Sequence, residues 1–369
     1  MAKDQGLLEV GRRVSEARRA RGLSQDHLAD AMGLDRTAIT KIEAGRRQIK
    51  SLELVRLAEI LDRPLQWFVS APPSAIVSRR AAIADPLGDQ KSDQAIEDLA
   101  RDVRLLVDIR ALVPGGHVGA IKPGDQGWAS ETAAAQAREA MCLDAGEPIH
   151  DLAEHAEKVG LFSFSLSLGE ADADGAYVEV ESAGVALING DLDPGRRRST
   201  LAHELGHHLF GDAYSLDWGA NTSETERAID SFAISLLFPR VGVVKRWSEL
   251  RQDHSLRQAA IIVSAEYRIS WTAALKQLKS FGLLSKDDYK LLDSRSPTRA
   301  DYLECNLRIT EELQSPYIAT GFSAAAIRAY RSHRLSAERV TELLRGQIEI
   351  DELPLRDEIP LEAMRGELR

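Results

Sequence analysis

His203-Glu204-Leu205-Gly206-His207 is the stretch of this chain whose residue types and spacing could do chemistry, and it sits in the apolar helical pattern Leu201 to Phe210. At about 100° per residue, His203 and His207 fall one turn apart on one face, the separation two imidazoles need to bind one tetrahedral Zn²⁺. Leu201, Leu205 and Leu209 form a separate stripe that can face a core. Glu204 stands beside the histidine pair without sharing its direction, so it can take a proton from a metal-activated water instead of occupying the metal. That is the division of labour peptide hydrolysis needs. His208 points roughly 100° away from His207 and reads as a supporting or surface histidine, not a ligand. The competing reading is a helix whose polar residues spell the motif by coincidence.

A third protein ligand must come from elsewhere, and Asn221 to Pro239 reads as a capped helix closed by proline. Glu226 has two readings. With Ser223 it can form a capping box. Alternatively, Glu226 and Asp230 continue the line through Ala233 and Leu237, the face expected to be buried, whereas Glu224 shares its line with Arg227, Ser231 and Ser235. A carboxylate on a buried stripe needs a partner, and a metal is a good one, so Glu226 is the expected third ligand. Asp230, one turn on, can accept a hydrogen bond from the free ring nitrogen of a ligating histidine and fix its tautomer.

From about Trp128 to Arg240 the chain resembles the ImmA/IrrE family of bacterial metallopeptidases. The resemblance rests on Glu147-Pro148-Ile149, on the strand Val185-Ala186-Leu187-Ile188-Asn189, and on Arg198-Ser199-Thr200 leading into the histidine motif. Glu226, Phe232-Ala233 and Leu236-Leu237-Phe238-Pro239 complete it. It implies zinc held by His203, His207 and Glu226, with Glu204 as the base. Where the family shows Ala-Asn ahead of the Phe-Ala pair, this chain has Ile229-Asp230, and an aspartate there can still accept from a histidine.

A second signal lies in Gly22 to Gly45, which reads as helix, tight turn, helix. Ser24 is a natural N-cap, Gly33 supplies the permissive turn backbone, Asp35 caps the second helix, and Leu28, Ala29, Ile39 and Ile42 face inward. Residues 7–69 resemble a five-helix XRE-type domain. Within that resemblance Gln25 would touch a DNA phosphate, Arg36, Thr37 and Thr40 would face base edges in the major groove, and Lys41, Arg46 and Arg47 would sit near the backbone. A helical bundle using the motif only for protein contacts is the alternative. Charge favours DNA, because residues 11–50 hold ten Lys/Arg and five Asp/Glu, a local +5 in a chain of net charge −10. The acidic remainder limits non-specific DNA binding, so a homodimer on a two-fold double-stranded operator is expected.

At 369 residues and 44% hydrophobic content the chain can build two or three cored domains. The expected fold is mainly α with an α+β part. Residues 1–70 form the helix-turn-helix domain, 71–127 a linker and helix, and 128–245 a zincin-like α+β metallopeptidase domain with a small sheet. Residues 246–303 extend it helically, and 304–369 are a helical region with an acidic tail. Ser70-Ala71-Pro72-Pro73-Ser74 and Pro86 to Asp89 read as linker. Ile96, Leu99, Val103 and Leu106 make a helical stripe able to pair protomers or pack on the peptidase. Phe162 to Leu166, Ala176 to Val180 and Val185 to Ile188 read as strands, and an edge strand beside the motif helix would let an extended substrate join the sheet. Ala259 to Leu275, with Ser270 as a cap, resembles another DNA reader but carries too few outward basic groups and reads as scaffold. Ser323 to Leu344 reads as a helix pair. Cys142 and Cys305 form no C-x-x-C and are expected to be buried thiols. With no signal peptide and no membrane-length apolar run, a cytoplasmic protein is expected. Two functions are open: a DNA-binding regulator whose zinc peptidase cleaves a repressor or itself, or a repressor or antitoxin-like protein, with a toxin as possible partner, whose peptidase fold is a non-catalytic sensor or scaffold.

Overall fold

The computed structural model describes residues 2–61, 63, 65, 68, 78–80, 90–113, 115, 121, 130–169, 172–181, 183–211, 222–308 and 310–358. They fall into two compact units, Met1–Pro73 and Ser74–Arg369. The Ser70–Ser74 linker and the Pro86–Asp89 stretch lie outside the described residues.

The first unit carries α1 (Ala2–Ala20), α2 (Gln25–Met32), α3 (Arg36–Glu43) and α4 (Ser51–Leu61). Ser24 accepts a hydrogen bond from the His27 N–H, and Asp35 accepts one from Ala38, so both expected N-caps form. Gly33 takes φ +68°, a left-handed conformation that costs most L-residues roughly 1–2 kcal/mol, and this lets α2 stop one turn before α3 begins. Leu28, Ala29, Ile39 and Ile42 meet Val14, Ala17, Leu57 and Leu61 in one core. Most of the stretch expected to form the fifth helix lies outside the described residues.

The second unit is a mixed sheet between two helical layers. Its strands are β1 (Ser78–Arg80), β2 (Leu161–Leu166), β3 (Gly175–Val180), β4 (Ala183–Asn189) and β5 (Tyr317–Ile318), in the order β1-β3-β4-β2-β5. β2 and β4 run parallel, and the other pairs are antiparallel. Successive strand residues point to opposite faces, and the core divides accordingly. Tyr177, Ala186 and Ile188 join one apolar cluster, whereas Ala176, Val178, Val185 and Leu187 join the other.

The first face is covered by α6 (Ser130–Ala140), α7 (Leu152–Lys158), α8 (Pro194–Phe210) and α9 (Thr222–Leu237). Behind them come α10 (Arg240–Asp253), α11 (Leu256–Glu266) and α12 (Trp271–Ser280), followed by α13 (Lys286–Asp293) and α14 (Arg299–Glu304). Ser270 caps α12 through Ala273, and Ala259, Ala260, Val263, Ala274 and Leu278 are buried in the cluster that holds α8. This pair of helices therefore uses its apolar surface as scaffold.

The opposite face is covered by α5 (Gln90–Asp108), α15 (Thr320–Arg331) and α16 (Ala337–Leu343). Ile96, Leu99, Val103 and Leu106 are all buried against β-strand residues, which settles their use. Each such side chain gains about 1.5–3 kcal/mol by leaving water, and a stripe already covered by its own sheet has nothing left to offer a second protomer. Buried Asp102 of α5 ties the layer together through Arg339 and Arg345, each at 2.7 Å.

The cysteines depart from expectation: Cys142 is exposed and Cys305 half-buried, with burial pushing the Cys305 thiol pKa up. Cys142 sits just past the end of α6 at φ +56°, in a turn that faces solvent, which the lack of a C-x-x-C pattern does not reveal. Among the described residues no helix is long and apolar enough to cross a membrane.

Candidate metal centre and candidate DNA-reading face

Helix α8 starts where it does because Asp193 accepts from the Arg196 N–H and Pro194 supplies a preset φ in the first turn, and it ends at Gly211, at φ +63°. From Thr200 to Phe210 every residue is buried, so the histidine motif is part of the core and held rigidly. Gly206 sets how closely α9 approaches. A Cβ at that position would lie 2.8 Å from Ile229 Cγ2 and 3.1 Å from Phe232 Cδ1, so only glycine allows the contact that brings Glu226 alongside the histidines.

His203 Nε2 and His207 Nε2 stand 3.2 Å apart. Glu226 closes the triangle, with Oε2 at 3.3 Å from His203 Nε2 and Oε1 at 3.7 Å from His207 Nε2. Two ligands held at about 2.1 Å from a tetrahedral metal are about 3.4 Å from one another, so this donor set has the dimensions of a Zn²⁺ site. Its electrostatics agree. His203 Nδ1 lies 2.9 Å from Asp230 Oδ1, and with the ring proton placed there Nε2 presents a lone pair to the triangle. Lone pairs and an anion facing one point call for a cation, and three protein donors leave one position of a tetrahedron for a reactant.

The histidines are buried, but the side chains of Glu226 and Asp230 are 46% and 54% exposed. The expectation of a buried stripe therefore holds for Ala233 and Leu237 and fails for the two acids, which stand at the open mouth of the site. The side chains of Ser223 and Glu224 lie outside the described residues, and with them the capping-box reading of Glu226. Glu204 is fully buried, and its Oε1 lies 3.2 Å from where a Cβ on Gly175 of β3 would be.

His208 is a core residue, not a surface one. Its Nε2 lies 2.8 Å from the Val159 carbonyl and its Nδ1 3.0 Å from the Tyr177 hydroxyl, a pairing satisfied when Nε2 donates and Nδ1 accepts. Tyr177 also lies nearly parallel to the His207 ring, at 6.5 Å between centroids, so one strand aromatic packs on both neighbouring histidines. No motif marks Tyr177; the available signal is an aromatic on the inward phase of a strand. Arg198, at the base of the motif helix, is 1% exposed and joins Glu312 at 2.5 Å.

In the first unit Arg36, Thr37, Thr40, Lys41 and Arg46 are all exposed on or just after α3. Arg36 pairs with Asp26 at 3.5 Å, but both side chains are more than half exposed, and such a pair is worth about 0–1 kcal/mol and yields readily to DNA. Thr40 donates to the Arg36 carbonyl at 3.0 Å and Thr37 to Asp35 at 2.6 Å. Gln25 is more committed, since its amide donates to Glu43 at 2.7 Å. Glu43 also meets Arg18 at 2.6 Å. Burial pushes its carboxyl pKa up, and the hydrogen bonds from Arg18 and Gln25 outweigh that and leave it below the ordinary value. Arg47 is bound to Glu53 at 2.8 Å and is less available than Arg46.

Residues 14–68 match the family model of the helix-turn-helix, and residues 156–279 match that of peptidase M78, described as the IrrE N-terminal-like domain. The chain thus joins an XRE-type helix-turn-helix to an IrrE/ImmA-like peptidase domain, and is a DNA-binding regulator with a peptidase-like part. The second match starts within α7 and runs into α12, so it includes the helices behind the motif. No curated protein and no solved structure matched the chain.

Proposed function

We propose that this protein represses transcription through residues 14–68 and relieves repression when its peptidase domain hydrolyses a peptide bond, in a partner repressor or in its own chain. The convergence of His203, His207 and Glu226, whose donor atoms lie within 4.8 Å of one another, carries this reading. Zn²⁺ held there would polarise the scissile carbonyl and lower the pKa of water. The rest is the work of the chain. Asp230 keeps the proton of His203 on Nδ1, and the Tyr177–His208 pair packs against His207 and steadies its ring. Glu204, shielded from bulk water, takes the proton of the attacking water and returns it to the departing amine.

Metal analysis of the purified protein is expected to give one Zn²⁺ or similar divalent ion per chain in wild type, and none in His203→Ala or His207→Ala. Glu226→Gln should weaken binding strongly while Glu224→Gln should not; the reverse order would overturn the ligand assignment. Metal-loaded wild type that cleaves neither itself nor any helix-turn-helix repressor would favour the non-catalytic sensor instead.

For DNA, the exposed α3 residues support major-groove reading by a dimer, with half-sites about one helical turn apart. Arg36→Ala and Thr37→Ala are expected to relax sequence preference. Arg46→Ala should weaken all sequences alike and lower the slope of log affinity against log salt by about 0.9, the effect of one phosphate contact. Titrations of operator and random duplexes at several salt concentrations separate the two classes. Equal affinity for both duplexes in wild type would remove the operator reading.

A further inference from the structure

The motif helix α8 packs on one face of the sheet across β3 and β4, and without β1 the strand β3 would be the open edge of that sheet. One side of β3 pairs with β4. The other is taken by β1, in the antiparallel register Ser78↔Tyr177, Arg79↔Ala176 and Arg80↔Gly175. These β3 residues are the ones that border the candidate site. Gly175 is the close neighbour of Glu204 and Tyr177 packs along His207, so the covered segment spans the distance from the base to a metal ligand.

An unpaired edge there is where an extended peptide would add to the sheet by main-chain hydrogen bonds, with its backbone carried past the histidines. The chain already supplies such a strand from its own sequence, only a few residues after Pro73, where the DNA-binding unit ends. We propose that the outer edge of β3 is the peptide-docking edge of this site and that Ser78–Arg80 is its resident occupant, so that a peptide from another molecule binds only by displacing it. Cleavage of a docked peptide rests on the peptidase reading; the docking itself is independent of hydrolysis.

Two features suit β1 to this role. Among the described residues it pairs over only three positions, so few ladder hydrogen bonds there need to break when it leaves. It is also tethered, which makes it a competitor at an effective concentration on the order of millimolar, enough to keep weak and irrelevant peptides out.

The test uses full-length protein stripped of metal by chelator, so that nothing is cleaved. The probe is a fluorescent synthetic peptide of residues 75–83, followed by anisotropy. Adjacent N–H groups of a strand point to opposite sides, so Arg79→Pro and Arg80→Pro together test both phases of the ladder. At least one of them is expected to bind the peptide tenfold or more tighter than wild type, with faster amide exchange at 175–177 and unchanged exchange in β4. Equal peptide affinity in wild type and both variants, or unchanged protection at 175–177 in both, would overturn the proposal. If the vacated edge binds the peptide and the metal-reloaded protein still hydrolyses nothing, the peptidase reading fails and the docking edge stands.

Discussion

Glu204→Gln is expected to reduce peptide hydrolysis by at least about 10² to 10⁴, the usual contribution of a positioned proton-transferring carboxylate. Metal content should be unchanged, because the three proposed donors are His203, His207 and Glu226 and glutamine keeps the size of the side chain. Burial makes the experiment clean. Glu204 has no exposed surface, and its Oε1 lies close to Gly175 of β3. Operator affinity should also hold, since Arg36 and Thr37 belong to the other compact unit. The measurement is cleavage of a candidate repressor, or of the chain itself, followed by mass spectrometry beside DNA titration. If wild type and Glu204→Gln yield the same products at the same rate, Glu204 is not the base. If neither yields a product while both regulate the promoter identically, the domain is a sensor.

Much of this centre was legible because helical spacing is a local property. His203 and His207 are four residues apart, and the backbone alone puts them on one face. The caps Ser24, Asp35 and Ser270 were legible for the same reason, each acting on an amide three residues on. Asp193-Pro194 offered an equally local start signal for α8. Periodicity also told that His208 points away from His207, but not what it meets: the carbonyl of Val159 is 49 residues away in sequence and is delivered by the turn before β2. The exposure of Glu226 and Asp230 was misjudged for a related reason. A stripe predicts which residues share a direction, whereas whether that direction is filled depends on where the next layer stops. Strand β1 was not legible at all, because its pairing with β3 joins segments nearly a hundred residues apart and its composition reads as linker.

Glu312→Ala is expected to destabilise the second unit by about 3–5 kcal/mol, the cost of leaving buried charge without its partner. Arg198 is 1% exposed and sits one turn before the histidine motif. It donates to the Ile149 carbonyl at 2.6 Å and to Glu312 at 2.5 Å, and Glu312 also pairs with Arg268. Burial lowers the Arg198 pKa, and the Glu312 charge is the main force opposing it. Removing Glu312 leaves two guanidinium groups without their shared anion, one of them enclosed. Arg198→Met should cost less, since Arg268 still neutralises Glu312 and the methionine fills much of the same volume. Urea unfolding followed by far-ultraviolet circular dichroism checks the order, with the midpoint of Glu312→Ala well below that of Arg198→Met. A loss under about 1 kcal/mol for Glu312→Ala would show that water reaches Arg198 and that the pair is not sealed. The pair spans 114 residues, and Arg197 joins neighbouring Glu311 at 2.5 Å. The segment after α14, which carries no chemistry of its own, therefore anchors the first turns of the helix that presents His203 and His207, and metal affinity is expected to fall with stability in Glu312→Ala.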